Sequence, residues 1–383
     1  MKFPEQEQAD VSTQRGPKSL EKMLDDLKLY WLEKITYTRV LAEPEFNAAT
    51  LPPVIAPLLR AQQVLNTEGE KKSVYLSANA DGDQAVLHDI IKTGKIEMNR
   101  LGEYSAGELK NFCKECKIPY SGKSMAKMKA DLMTLYKGIL YGFCPCHGYN
   151  KKSGKTGGFY HMVCRHGCTV ASKILVLSES VRDAADLYLS VKYQPIILIN
   201  DSPCGFVRHL ECRDAERANQ LWGEFSGCFQ RPKYATTIRR DHNFPEIVPA
   251  EYRTAGETSS TESPHTHPYT GTTRGFVLQD RFHASKKPHK SPLCLFHDVN
   301  LCQQSNCITT STQESENSRK NQRRLRSTCA QNFGLHFLYN YLMDYYQNKA
   351  IVKAQYNSLK PYLKSGQSIS RDKFHRFIII SNN

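Results

Sequence analysis

The sequence has neither a long hydrophobic run nor a secretion-type leader. No apolar stretch reaches the roughly 18 residues that a membrane-spanning helix requires. Residues 1–7 lack the basic-then-apolar order of a signal peptide. The first absence argues against a membrane protein and the second against an exported one. We therefore expect a soluble, intracellular chain that makes no contact with membranes.

Acidic residues are scarce relative to basic ones: 38 Asp and Glu stand against 52 Lys and Arg, for a net charge of +14. This surplus favours polyanionic partners, because each neutralised phosphate releases condensed counterions. The plain alternative is a soluble protein that happens to be basic. One short segment concentrates the charge, however, and we predict that it binds DNA. Its basic residues are Arg319, Lys320, Arg323, Arg324 and Arg326.

Disulfides are not expected, because the thirteen cysteines are odd in number and occur without an export signal. Cys144 and Cys146 lie in one loop, and Cys164 and Cys168 follow after about 16 residues. Four soft ligands from two loops can close a tetrahedral site. We predict that these four, or three of them with a nearby histidine in place of the fourth, bind a structural Zn²⁺ ion, with buried thiols and surface histidines as the alternative. A second possible cluster comprises Cys204, His283, His289 and Cys294, with Cys302 and Cys307 as further candidates.

Composition divides the chain into four regions. They are an N-terminal tail with a helical segment (1–66), a small helical module (98–138), an α/β domain (140–348) and a basic C-terminal tail (349–383). A Pro-, Ser- and Thr-rich insertion at 231–273 interrupts the α/β domain. Apolar spacing predicts helices at 18–41 and 53–65. We expect these N-terminal helices to serve packing or partner proteins.

The module at 98–138 predicts two helices joined by a glycine turn. Ser105 and Glu108 form a capping box at the start of the first helix. Lysines cluster near the start of the second helix, where helix N-termini favour phosphate. The pattern resembles the SAP module, a small helix–turn–helix-like DNA-binding unit, which implies that Lys123, Lys127 and Lys129 contact DNA. A two-helix packing unit is the alternative. Cys113 and Cys116 lie in the first helix, where we expect them to be structural.

The larger region predicts a sheet flanked by helices. Residues 159–163 and 169–177 have strand character, and Ser178–Ser180 can cap a helix that extends to Val191. The apolar runs 195–199 and 275–278 are typical of buried strands. Helices are predicted near 214–225, from Thr312 and over 333–346. We therefore expect 196–199 and 276–278 in one sheet, with the 312–326 helix packed across it.

An acidic residue follows each of the two buried strands, and catalytic groups gather at such edges. Asp201 and Asp280 are these residues, and Glu316 lies near the start of a later helix, with Glu314 as its substitute. Carboxylates hold Mg²⁺, and two such ions activate attacking and leaving oxygens in phosphodiester chemistry. The three acids are therefore candidates for a nuclease or strand-transfer site.

Four short motifs in this region resemble the Kyakuja–Dileera–Zisupton transposases. They are Glu179–Asp183, Asp201–Cys204, Asp280–His283 and Thr312–Asn317, and the resemblance covers about 140–348. It implies an RNase H-like mixed sheet and descent from an enzyme that cuts and joins DNA. In that fold the first carboxylate lies on the first strand. We expect this strand near 141–147, a segment without Asp or Glu.

The missing carboxylate argues against catalysis, and the sequence leaves three functions to compare. We predict a transposase-derived, nuclear, zinc-stabilised protein that binds DNA, most simply duplex DNA, without nuclease activity. The first alternative is an active transposase that uses Mg²⁺ with Asp201, Asp280 and Glu316. The second is a non-enzymatic scaffold that binds protein or RNA through its basic surfaces.

Overall fold

The structure is a computed structural model that describes most of the chain from residue 54 onward. The described residues are 54–56, 59–67, 81–145, 157–175, 178–232, 238–242, 274–285, 292–322, 333–371 and 377–381. The helix predicted at 18–41 and most of the 231–273 insertion lie outside them. The same holds for Cys146, His289, Arg323, Arg324 and Arg326.

A helical unit precedes the α/β region. It contains α1 (Gln84–Lys92), α2 (Ala106–Glu115) and α3 (Met125–Leu140). The two predicted helices are confirmed as α2 and α3, and α1 joins them in one apolar core. Fully or almost fully buried members of this core are Leu87, Ile90, Leu109, Cys113, Cys116, Ile118, Met128, Leu132 and Leu135. Cys113 and Cys116 are thus core residues, as predicted.

Side chains at the helix starts explain where these helices begin. The Asp83 carboxylate accepts hydrogen bonds from the backbone of Ala85 and Val86 at the start of α1. Ser105 and Glu108 form the predicted capping box on α2. Such caps satisfy amides that the first helical turn leaves without partners.

An antiparallel sheet of three strands follows, in the order β1 (Val54–Ile55), β3 (Thr169–Leu175), β2 (Gly158–Val163). The β2–β3 hairpin confirms the strands predicted on either side of the Cys164–Cys168 turn. The helix predicted at 53–65 is wrong where the chain is described. Val54 and Ile55 instead pair with Ser172 and Ala171, because β-branched residues suit a sheet edge.

Two parallel strands form the second sheet. Strand β4 (Ile197–Asn200) pairs with β5 (Phe276–Gln279), with Ile197 opposite Phe276 and Asn200 opposite Gln279. The predicted pairing of these segments in one sheet is therefore confirmed. Helix α4 (Val181–Leu189) precedes β4, and its start carries a capping box of Ser180 and Asp183.

Two helices between β4 and β5 cover the strands. They are α5 (Pro203–Arg213) and α6 (Ala215–Trp222), and the second confirms the helix predicted near 214–225. Their apolar faces share one core with α4 and β5. Large members of this core are Tyr188, Phe206, Leu210, Leu221, Trp222 and Val277.

Two further helices follow β5. A short helix, α7 (Arg281–Ser285), comes directly after that strand, and α8 (Thr312–Gln322) confirms the helix predicted from Thr312. Helix α8 contacts β2 of the hairpin. Its predicted position across the β4–β5 pair stays a prediction.

The C-terminal part of the described chain is more regular than the sequence suggested. Helix α9 (Phe333–Leu359) continues past the boundary predicted at 348, so residues 349–359 are helical and not a tail. A hairpin of β6 (Gln367–Arg371) and β7 (Phe377–Ser381) follows. Asn348 holds α9 to the first hairpin, because its amide exchanges two hydrogen bonds of 2.9 and 2.8 Å with the backbone of Thr169.

The first strand of the α/β region is not where we predicted it. Residues 141–145 form a turn after α3, because Gly142 has a φ of 83°. A Cβ on Gly142 would lie 2.6 Å from the backbone nitrogen of Arg182, so only glycine allows this close approach. The strand that precedes β3 is β2, whose sequence GFYHMV contains no Asp or Glu. The strand predicted at 141–147 is therefore wrong where the chain is described, and β2 is a different segment.

The helical unit and the α/β region share a polar joint on α5. The Glu211 carboxylate lies 2.6 Å from His88 Nε2 and accepts a hydrogen bond of 2.8 Å from Lys92 Nζ, and both partners are on α1. Burial alone would raise the pKa of Glu211, but His88 and Lys92 outweigh it and lower this pKa to about 2. A charged glutamate on α5 therefore links the α/β region to α1 of the helical unit.

A second buried network links β3 to α4 and α5. Lys173 Nζ lies 2.8 Å from carboxylate oxygens of both Asp183 and Asp186, and all three side chains are fully buried. Arg213 Nη1 lies 2.8 Å from the other oxygen of Asp186. Burial alone would raise the pKa of Asp186, but the two cations lower it below its ordinary value. The network fixes α4 against the hairpin.

Among the helices in the described part of the chain, none has the length and apolar character needed to cross a bilayer.

Candidate cation site at the edge of the parallel strands

Asp201 and Asp280 lie at the same edge of the β4–β5 pair. Each acid follows the last residue of its strand, and the paired ends are Asn200 and Gln279. Because the strands are parallel, both carboxylates emerge where ligand-binding groups gather in α/β folds. The sequence prediction that these acids end two neighbouring strands is confirmed.

His283 on α7 completes the group. The sequence predictions had assigned Asp201 and Asp280 to a carboxylate site and His283 to a cysteine–histidine cluster. The Nδ1 atom of His283 lies 2.9 Å from Asp280 Oδ2 and 3.3 Å from Asp201 Oδ1. One ligand atom from each of the three residues falls within 4.8 Å of the others. The side chains of Asp201 and His283 are 42% and 17% exposed, so the group opens to solvent. The spacing from Asp280 to His283 places the imidazole one helical turn from the carboxylate.

Asp280 anchors this group. The residue is 3% exposed, and its Oδ2 also accepts a hydrogen bond from the backbone N–H of His283 at 3.1 Å. Its other oxygen, Oδ1, is buried with no hydrogen-bond partner among the described residues. A buried carboxylate oxygen without a partner is costly. A cation at this edge would satisfy it.

Tyr160 on β2 ties the hairpin to the end of β4. The side-chain amide of Asn200 donates to the Tyr160 hydroxyl at 3.3 Å, and the amide oxygen accepts from the Ser202 backbone at 2.8 Å. Burial, together with the charges of Glu179 and Asp201, raises the pKa of Tyr160 well above its ordinary value. A neutral phenol on β2 thus lies beside the end of β4.

Glu316 does not join the other two acids. It lies on α8, and the one set of three ligand atoms within 4.8 Å among the described residues does not include it. Its substitute Glu314 is likewise outside that set. Two-metal catalysis depends on two ions about 3.5–4 Å apart held by several carboxylates. Two aspartates and one histidine suit a single ion.

The donor set also bears on which ion could bind. Carboxylates suit Mg²⁺ and Mn²⁺, whereas imidazole nitrogen suits Zn²⁺ and other transition metals. A mixed set of two carboxylates and one imidazole therefore favours Mn²⁺ or Zn²⁺ over the Mg²⁺ of the sequence prediction.

An aromatic side chain stands beside the group. Phe282 on α7 is 49% exposed. Its ring meets that of His283 edge to face, with ring centroids 5.3 Å apart. Large exposed aromatic rings next to charged groups occur where proteins stack on or wedge between bases.

The predicted DNA-binding lysines are partly engaged within the protein. Lys123, just before α3, and Lys127, on α3, lie 2.7 and 3.0 Å from the carboxylate of Asp131 on that helix. Lys129 Nζ donates to the Gly102 carbonyl at 3.2 Å. Asp131 offsets part of the positive charge of this face, so any phosphate contact there must compete with it. Whether the three lysines bind DNA stays a prediction.

The predicted zinc ligands fall in two places. On the exposed hairpin turn, the Cys168 thiol donates to the Cys164 sulfur, which lowers the pKa of Cys164 to about 5. His166 Nδ1 lies 3.9 Å from the same sulfur. Cys144 is fully buried and packs against Gly205 on α5. It does not form a group of three ligand atoms with Cys164 and Cys168 among the described residues, so their joint zinc site stays a prediction.

Of the second predicted cysteine–histidine cluster, two members meet. The sulfurs of Cys204 and Cys294 are 3.3 Å apart, whereas His283 belongs to the aspartate group. Cys302 is buried and donates to Gln304 Oε1 at 3.1 Å, and Cys307 is exposed.

Comparison with known proteins gives one informative match. No protein-family model matches the chain, and no solved structure matches it. The chain is 27% identical to human "HMG domain-containing protein 3" over 347 residues, which is 90% of this chain and 26% of that protein. It therefore spans about a quarter of the length of the curated relative that it matches. Over most of its own length, the chain is similar to part of HMG domain-containing protein 3.

Proposed function

We propose that this chain is a transposase-derived, nuclear DNA-binding protein whose strand-edge site holds one divalent cation and does not cut DNA. The observation that carries the proposal is the meeting of Asp201, Asp280 and His283 at one edge of the parallel strands. Phosphate is repelled by bare carboxylates, so a cation is needed for this edge to contact a DNA backbone.

The surroundings of the site support DNA as the ligand. The chain carries a net charge of +14, and phosphate contacts supply most non-specific DNA affinity. Phe282 stands exposed beside the site, available to stack on a base or wedge between two of them. The name of the relative records an HMG domain, a type of module that binds the minor groove.

The strand arrangement supports descent from an RNase H-like enzyme. An antiparallel hairpin, β2–β3, is followed by a helix and two parallel strands, β4 and β5. The hydrogen bond between Tyr160 and Asn200 sets β2 beside the end of β4. An antiparallel hairpin beside a parallel pair is in keeping with such a sheet, whereas β1 comes from earlier in the chain.

We infer that catalysis is lost because the site has too few carboxylate ligands for two metal ions. Strand β2 has no acid, and Glu316 lies outside the aspartate–histidine group. A single ion can orient a phosphate, but it does not stabilise both the attacking and the leaving oxygen.

The test measures binding and cleavage of labelled duplex DNA in the same samples, with Mn²⁺, Mg²⁺ or chelator. We expect Mn²⁺ to tighten binding several-fold over chelator without strand cleavage. Asp280→Asn should abolish this gain, because it removes a ligand charge while it keeps the shape of the side chain. Asp298→Asn is the matched control, since Asp298 caps the turn at Val299–Leu301 and is not in the group.

Two outcomes would contradict the proposal. Metal-dependent cleavage that disappears in Asp280→Asn would show an active transposase or nuclease. Binding to RNA or to protein with no affinity for DNA at low salt would show the scaffold alternative.

A further inference from the structure

Three cysteines from distant parts of the chain border the first turn of α5, two of them with their sulfurs in contact. The sulfurs of Cys204 and Cys294 lie 3.3 Å apart, and the two residues are 3% and 2% exposed. Cys144 is fully buried in the same apolar core. A Cβ built on Gly205 would come within 2.6 Å of the Cys144 sulfur. The missing side chain of this glycine therefore leaves the space that the third sulfur occupies.

The spacing of the sulfurs fits a shared ion better than a covalent bond. A disulfide requires about 2.05 Å between sulfurs. A tetrahedral Zn²⁺ with Zn–S bonds of about 2.3 Å sets neighbouring sulfurs roughly 3.8 Å apart. Cys144 is not within 4.8 Å of both other sulfurs, so binding requires its side chain to rotate towards them.

A buried cation lies beside one of the thiols. Arg208 is 4% exposed, and its Nη2 lies 3.9 Å from the Cys204 sulfur. Three thiolates and one Zn²⁺ carry a net charge of −1, which the guanidinium offsets. A nearby cation of this kind is what stabilises a thiolate in an apolar setting.

We propose that Cys144, Cys204 and Cys294 bind a structural Zn²⁺ ion. Three S–H bonds release their protons to solvent and three S–Zn bonds form, with no change of oxidation state. A further protein ligand or a water occupies the fourth position. The inference does not rest on DNA binding, and its ligand set differs from the one that cysteine spacing predicted.

The ion would hold the cation site in place. Cys204 lies in the first turn of α5, three residues after Asp201. Cys294 lies in the 3-10 helix Pro292–His297, which packs on α5 and β5. A Zn²⁺ bridge between them fixes the start of α5 against the segment that follows α7.

The test measures zinc in the full-length protein after loading under reducing conditions and desalting. All samples carry Cys164→Ser and Cys168→Ser, so that the hairpin thiols contribute no metal. We expect Cys144→Ser, Cys204→Ser and Cys294→Ser each to lose about one equivalent of zinc. The control is Cys212→Ser on the same helix, which should keep it. Unchanged zinc in all three variants would overturn the proposal.

Cobalt separates loss of a ligand from loss of the fold. Co²⁺ in the site should show thiolate-to-metal charge-transfer absorption, which falls as thiolate ligands are removed. The test variant is Cys204→His, provided that its circular dichroism spectrum is native. A charge-transfer absorption about one third weaker than that of the parent, or loss of bound cobalt, supports the site. Full intensity in that variant would contradict it. So would a Cys204–Cys294 disulfide found by mass spectrometry in the reduced protein.

Discussion

Removal of the Lys173 charge should strongly destabilise the α/β region. Its ammonium group is the shared partner of Asp183 and Asp186, at 2.8 Å from each, and none of the three side chains is exposed. Lys173→Met keeps most of the side-chain volume but removes the cation that Asp183 and Asp186 share, while Arg213 still pairs with Asp186. Breaking a buried ion pair in this way costs about 3–5 kcal/mol.

Urea unfolding followed by tryptophan fluorescence measures this cost, because Trp222 is buried in the neighbouring core. Lys110→Met on the exposed face of α2 is the control, and it should change the unfolding free energy by less than about 0.5 kcal/mol. Combining Lys173→Met with Asp183→Asn should recover part of the lost unfolding free energy, since the second change removes one of the two negative charges that Lys173 neutralised.

A Lys173→Met protein whose free energy of unfolding lies within about 1 kcal/mol of the parent value would refute this prediction. That result would mean that the network relaxes or hydrates when the cation is removed. No recovery in the double variant would show that the lost packing of the lysine stem, and not its charge, sets the cost.

Three further predictions concern single side chains. Glu211→Gln should lower the unfolding free energy by about 3 kcal/mol at pH 7. The Glu211 pKa is depressed to about 2, so this difference should shrink as pH falls from about 4.3 towards 2; a difference independent of pH in urea titrations would contradict it. Asn348→Ala removes two hydrogen bonds to Thr169 and should cost about 1–3 kcal/mol in the same assay, which an unchanged midpoint would refute. In metal-free protein at pH 7, Cys164 (pKa about 5) should react with iodoacetamide much faster than Cys212, whose pKa burial raises to about 12; equal labelling by mass spectrometry would count against this.

Local signals in the sequence located the elements that depend on local chemistry. The Ser105–Glu108 capping box predicted the start of α2, and the apolar run 195–199 predicted β4. Both succeed because their causes lie within a few residues of chain. The strand-end position of Asp201 followed from the same run.

Elements that depend on distant partners were missed or misplaced. Strand β1 has two residues and exists through pairing with β3 more than 110 residues later, so no local pattern marks it. Of the strand expected at 141–147, the described residues 141–145 are a turn, because Gly142 packs against the start of α4. Helix α1 was missed although Asp83 offers an N-cap signal.

The candidate site was predicted in part for the same reason. The sequence assigned Asp280 to a carboxylate site and His283 to a cysteine–histidine cluster. The three-residue spacing on a helix places both side chains on one face, which was the available signal. Glu316 was grouped with the acids by order along the chain, and the group of three ligand atoms found among the described residues does not include it.

The salt dependence of duplex DNA binding by the full-length protein tests the central claim most directly. Fluorescence anisotropy should show an affinity that falls steeply with salt, by about 0.9 in the log–log slope for each phosphate contacted. Replacing the basic residues of the 319–326 segment with alanine should flatten that slope. Lys123→Ala should change it less, because Asp131 already pairs with that lysine. Binding no stronger than that of a neutral control protein at low salt would contradict the account.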